Sequence, residues 1–145
     1  MAQATFANTQ AQPGSLPQDA AAALQAASDQ SFQELRSRVI SYLVKLNHAL
    51  DKDLSDLSQA LLSRFCDTLV DYLSAGHFQV FQRVVPLAHE YAAIESTTRL
   101  AMNFNDSFGN LRTVDIPEVK AALEQLALVL GTRFELEDDL LADHH

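Results

Sequence analysis

Apolar positions recur every third or fourth residue along most of the chain. Phe32, Leu35, Val39, Leu43, Leu46 and Leu50 make one such stripe, the spacing of a single helix face. Leu54, Leu57, Leu61, Phe65, Leu69 and Leu73 make a second, which stops near Ser74-Ala75-Gly76, where a glycine can close a helix. A short segment, Phe78 to Val85, must yield before Pro86, because the residue before a proline is pushed out of helical geometry. Leu87, Tyr91, Ile94, Thr98, Ala101, Phe104 and Phe108 make a third run that ends at Gly109. The last helix has the clearest start. Asp115 can cap it, Pro117 fits its first turn, and Glu118 stands three residues after Asp115 in the manner of a capping box. Val119, Leu123, Leu126, Leu130, Phe134 and Leu141 carry its apolar side. No segment shows a convincing strand period. The pattern predicts an all-α fold, an up-and-down antiparallel four-helix bundle with an extra short helix after the second long helix.

The front of the chain breaks the pattern. Residues 1–15 are small, polar and Gln-rich, with too few apolar groups to offset ordering entropy, and read as a disordered tail. Ser15-Leu16-Pro17 is a helix start, and the Ala-rich stretch from Ala20 to Ala27 favours helix while burying little. Residues 16–145 are then expected to form a single helical-bundle domain. Composition agrees: 48% of 145 residues are apolar, while four Gly and four Pro are too few for a turn-rich sandwich or barrel. One cysteine, Cys66, excludes an internal disulfide framework and an all-cysteine metal site. The N-terminal segment has neither the basic start nor the apolar run of a signal peptide, and no apolar stretch approaches the ~20 residues of a membrane span. A cytoplasmic location is the expectation.

Charge narrows the partners. Ten Lys and Arg against nineteen Asp and Glu give a net charge of −9, which repels nucleic acid and anionic membranes and suits a basic protein surface. Catalytic and metal chemistry find no foothold. No Glu is followed by His three positions later, as carboxylate-bridged di-metal bundles require. The five histidines are His48, His77, His89, His144 and His145, and His89-Glu90 lacks the second His of a zinc protease helix. Cys66 borders the second stripe and precedes Asp67, a setting for a buried, unactivated thiol. Phosphate loops, dinucleotide fingerprints and nucleophile elbows do not occur. The residues therefore predict an interaction protein, with no catalytic, cofactor-binding or metal-binding residues.

One surface and one pair stand out. Arg64, Asp67, Asp71, Ser74 and Phe78 are spaced three, four, three and four apart, in a line distinct from the Phe65, Leu69, Leu73 stripe. Such a line is either a plain solvated face or, with Phe78 beside His77 at a helix break, an anchor for a basic partner. Arg133 and Glu137 lie four apart at the edge of the last apolar seam. They are either an ion pair at the core boundary or part of a buried polar cluster with His77 or Arg83 that fixes helix register. The same segment carries Glu135, Asp138, Asp139 and Asp143, whose charges oppose the helix dipole by a few tenths of a kcal/mol each.

The segment FCDTLVDYLSAGHFQVFQRVV, Phe65 to Val85, resembles the signature of the regulator of sigma D (Rsd/AlgQ) family. It matches that pattern, Phe-Cys-x-x-Leu-Val-Asp-Tyr-Leu/Val-Ser-Ala-Gly-His-Phe, at each fixed position through Phe78. RFELEDDLL, Arg133 to Leu141, is similar to the family's Arg-Phe-x-Leu-Glu-Asp-x-Leu, and AMNFNDSF, Ala101 to Phe108, fits its third helix loosely. The resemblance extends from about Leu54 to Leu141. It implies a cytoplasmic bacterial anti-sigma factor without enzymatic activity. Such a protein binds the C-terminal promoter-recognition region, region four, of the housekeeping sigma factor, a basic helix-turn-helix domain. It thereby keeps sigma from core RNA polymerase and regulates transcription, typically as growth slows. By motif match Asp71, Ser74 and Phe78 become partner-contacting candidates; Arg64, Asp67 and His77 join them on geometry alone. Leu69, Tyr72 and Leu73 are assigned to the core. The first helix departs from the family: a Trp-Leu pair and a following Arg are replaced by SFQELRSRVISYL, and the chain has no Trp. That departure motivates an alternative, a cytosolic helical-bundle regulator of a different protein partner. A metal-binding bundle enzyme is the third reading, opposed by the missing ligand pairs.

Overall fold

The computed structural model describes residues 18–81 and 86–143. Among them four α-helices occur and no strand: α1 (Gln18–Asp51), α2 (Ser55–Gly76), α3 (Ala88–Phe108) and α4 (Ile116–Asp143). A π-helical turn, His77–Phe81, continues directly from α2. The expected tail, residues 1–15, lies outside the described residues, as do Ser15 to Pro17, Arg83 and the end of the segment expected to form a short helix. Two units divide the chain, residues 1–31 and 32–145. The described part of the first, residues 18–31, is the Ala-rich opening of α1, with Leu24 exposed.

The second unit holds the apolar core. Phe32, Val39, Leu46 and Leu50 of α1 meet Leu62, Phe65, Cys66, Leu69 and Tyr72 of α2, Ala101 and Phe104 of α3, and Val119, Leu123, Leu126 and Leu130 of α4. Phe32 stacks on Tyr72 with centroids 5.6 Å apart, and Phe65 meets Phe104 edge to face at 5.8 Å. These offset and T-shaped contacts suit the ring quadrupoles and add to the gain from area burial. Cys66 is buried as expected; burial first, and the charge of Asp67 second, push its thiol up to about 12.

Helix ends follow local chemistry. Asp115 caps α4 through its Oδ1, which accepts the Glu118 backbone N–H at 3.2 Å. Asp53 adopts a left-handed φ of 59°, with Leu54 N–H reaching Ala49 O and Asp53 N–H reaching Leu50 O, the paired bonds of a Schellman close. Aspartate is among the few non-glycine residues that enter this region readily. Gln59 donates to the carbonyls of Leu111 and Arg112 at 3.2 and 2.6 Å, tying α2 to the α3–α4 link.

Two stripes differ from their predicted extent. Leu54 and Leu57 are exposed, and α2 instead buries Ser58, Leu62, Phe65, Cys66, Leu69, Tyr72 and Leu73. Leu87 and Tyr91 are exposed too, so α3 is buried only from Ile94 onward. Periodicity places residues on one helix face; whether another element covers that face at a given turn depends on tertiary placement, which spacing does not encode.

Candidate functional site

Two neighbouring regions organise the chemistry: a sealed polar cluster between helices, and an open groove beside it.

The cluster centres on Arg133, 1% exposed, and Glu137, 0% exposed. One helical turn separates them on α4, and Arg133 Nε donates to Glu137 Oε2 at 3.1 Å. Tyr72 of α2 donates its hydroxyl to the same oxygen in a short hydrogen bond. Arg133 Nη1 donates to the hydroxyls of Thr97 and Thr98 on α3, at 3.2 and 2.6 Å. Both threonines in turn donate to the carbonyl of Ile94. The guanidinium also lies 5.5 Å from the Tyr72 ring centroid and 5.3 Å from that of Phe81. Arg36 of α1 stands 3.6 Å from Glu137 Oε1 and grips Asp138 in a bidentate pair at 2.7 and 3.1 Å. One buried carboxylate thus faces two guanidiniums and a phenol.

Burial decides the proton affinities here. Desolvation pushes the Glu137 carboxyl above its ordinary value, against the pull of Tyr72, Arg133 and Arg36. The Tyr72 hydroxyl is raised, by burial and then by the Glu137 charge. Asp138 is held low by the hydrogen bond from Arg36. Of the two sequence readings of Arg133 and Glu137, the buried cluster is the one found. Its members differ from those expected: Tyr72, Thr97, Thr98 and Arg36 take the place of His77, while Arg83 lies outside the described residues.

Gly76 belongs to this cluster for a reason other than helix closure. The chain remains right-handed into His77, which has φ −61°. A Cβ on Gly76 would stand 3.2 Å from Arg133 Nη2 and 3.5 Å from both Phe32 and Phe81. The missing side chain makes room for the guanidinium.

The predicted contact line is on the surface. Arg64, Asp67, Asp71, Ser74, His77 and Phe78 are all exposed, with Phe78 66% exposed. The π-turn leaves the Phe78 ring standing against His77, centroids 4.9 Å apart. The line divides by neighbourhood. Ser74, His77 and Phe78 border a cavity of about 1020 Å³, whereas Arg64, Asp67 and Asp71 lie on the helix surface beyond it. Across the cavity stand Tyr91, Ile94, Glu95 and Met102 of α3, with Arg133 at its inner end. Sequence reasoning missed this far wall, naming Tyr91 only as part of the third apolar run. Spacing carried no sign of it, because a helix face has the same period whether or not another element covers it. Among the described residues no cluster of metal-ligating side chains occurs, and no helix is long and apolar enough to cross a membrane.

The family model for the regulator of RNA polymerase sigma(70) subunit, Rsd/AlgQ, matches residues 21–145. A protein named Regulator of sigma D from Yersinia enterocolitica is 29% identical over 128 residues, covering 78% of this chain and 77% of the relative. Another of that name from Sodalis glossinidius is 32% identical over 122 residues, covering 78% and 83%. No solved structure matches the chain. A match over so much of the chain, including all three segments that carry the resemblance, settles the family: this chain belongs to the Rsd/AlgQ regulators of the RNA polymerase sigma(70) subunit.

Proposed function

We infer that the protein is an anti-sigma factor that binds region four of the housekeeping sigma factor and keeps it from core RNA polymerase. The observation that carries this reading is the exposed Phe78, set on the same surface as Asp71 and Ser74 in a chain of net charge −9. An exposed aromatic amid uncovered carboxylates is the anchor-and-charge pattern that a cationic DNA-reading domain complements. Asp67 and Asp71 would take basic side chains that otherwise meet phosphate, and Phe78 would supply the apolar centre, with Ser74 and His77 beside it. Arg64, at the far end of the line, would orient the partner by repelling its basic face. The four helices act as an up-and-down bundle that presents this surface, and the role is one of binding in the cytoplasm rather than catalysis.

Titration of the purified protein with the isolated C-terminal domain of the housekeeping sigma factor tests the reading. Saturable binding that weakens as salt rises is the expected result. Absence of binding at micromolar concentrations in low salt overturns it.

A further inference from the structure

The groove beside the contact line has a second wall with no role assigned. Tyr91 is 58% exposed, as prominent as Phe78 opposite it, and the two rings flank the same cavity. Leu73, Phe81, Ile94 and Met102 make the rest of its lining largely apolar. At about 1020 Å³ the space lies at the upper end of small-molecule pockets, which run to about 1,000 Å³. Its length is set by α3: Tyr91, Ile94, Glu95, Thr98 and Met102 fall on one helix face. Eleven helical steps lead from Tyr91 to Met102, about 16 Å at the helical rise. A groove of that length, walled by two helices and apolar along its floor, has the dimensions of a helix-in-groove site.

Charge selects the occupant. Arg133 reaches the groove already neutralised by Glu137. Glu95, exposed on the α3 wall, makes no ion pair with any described residue, and Asp71 stands uncovered just beyond the α2 wall. The groove therefore offers apolar depth and carboxylate rims.

We propose that the groove between the α2 end with its π-turn and α3 receives an amphipathic helix of a protein partner. The apolar side chains of that helix enter between Phe78 and Tyr91, and its basic side chains meet Glu95 and Asp71. Where the partner is sigma, this rests on the preceding reading and extends the interface from α2 onto α3, making Tyr91 and Glu95 contact residues.

The test compares the full-length protein with Tyr91→Ala, Glu95→Lys and Asp71→Lys, and with Leu128→Ala as an exposed control outside the groove. Two probes are titrated: the sigma C-terminal domain, and a synthetic Leu/Lys amphipathic helix set against the same peptide scrambled out of helical register. Tyr91→Ala and Glu95→Lys are each expected to weaken both probes roughly tenfold or more, with Leu128→Ala unchanged. Sigma binding that Asp71→Lys weakens but Tyr91→Ala and Glu95→Lys leave intact overturns the groove and spares the sigma reading. Failure to bind sigma, with the amphipathic helix bound in a Tyr91-dependent manner, upholds the groove and overturns the sigma reading. If neither probe binds, or scrambled and ordered peptides bind alike, the groove proposal falls. It falls equally if Tyr91→Ala acts only by abolishing self-association in sedimentation, which would assign the groove to a second copy.

Discussion

The cluster around Glu137 and the groove beside it share Arg133 and reverse each other's chemistry. In the first, charged and polar side chains are drawn inside and each finds a partner; in the second, the large aromatic side chains of Phe78 and Tyr91 stand more than half exposed. Buried polar groups and contiguous exposed apolar ones are the two observations that ordinary burial does not explain. Here they lie on either side of one arginine. The cluster ties together α1, α2, α3 and α4 by directional bonds. Among the described residues, the groove's aromatic rim of Phe78 and Tyr91 makes no such bonds and leaves its apolar surface open. Sealed polarity serves the fold, and open apolarity serves a partner.

The sharpest way to break this contrast is to remove the cluster's negative charge. Glu137→Ala leaves the Arg133 guanidinium buried without its counter-ion and strips the Tyr72 hydroxyl of its acceptor. The expected loss is about 3–5 kcal/mol of unfolding free energy, read by urea denaturation. A loss below about 1 kcal/mol would show that solvent already reaches the pair and that the cluster does not fix the fold.

The groove and its acidic rim should behave oppositely. Asp71→Lys and Phe78→Ala are each expected to weaken sigma domain binding by about 1–3 kcal/mol. Both residues are exposed, so unfolding free energy should stay within about 0.5 kcal/mol of the parent. Two measurements on the same variants, calorimetric binding and denaturant midpoint, therefore separate the regions. A stability loss at Phe78 as large as its binding loss would place that side chain in the structural core after all.

Gly76 tests the boundary between the regions. An alanine there gains up to about 1 kcal/mol of helix propensity. It also places a methyl 3.2 Å from Arg133 Nη2, whose guanidinium is held by Glu137, Thr97 and Thr98. Overpacking of a fixed neighbour costs about 1–3 kcal/mol, so a net destabilisation of about 1 kcal/mol is expected by thermal or urea unfolding. A stabilised variant would mean that the arginine yields easily and that the glycine serves something else.

How far these regions could be read from sequence differs in the same way. The helices were legible because burial on one face imposes its period on the chain, and Val119 through Leu130 mark that face in α4. The exposure of Asp71 and Phe78 was legible from their offset from the Phe65–Leu69–Leu73 stripe. The composition of the cluster was not. Arg133 and Glu137 announce a pair by their spacing, but Tyr72, Thr97 and Arg36 reach them from 35 or more positions away in sequence. Nothing local marks a threonine as the acceptor for a distant arginine. Tyr91 failed for the converse reason: its spacing is that of an apolar helix face, yet it stands 58% exposed, because spacing does not say whether another element covers that face.

The smallest expected effect lies at the rim of the cluster, where Arg36 grips Asp138. The hydrogen bonds from Arg36 lower the Asp138 pKa below its ordinary value of 3.8. A carboxylate whose folded-state pKa is depressed stabilises the fold above its unfolded value, and that contribution disappears as pH falls through the folded one. More than half of the Asp138 side chain is solvent-accessible, so screening keeps the contribution small, under about 1 kcal/mol. Asp138→Asn should therefore be slightly less stable than the parent at neutral pH. The gap should close as pH drops below 3.8, because the parent then loses the same charge. Thermal unfolding of both proteins across that interval measures it. A gap that persists once Asp138 is protonated would assign the stabilisation to the shape of the bidentate contact rather than to its charge, and would bring Arg36 into the directional network that distinguishes the cluster from the groove.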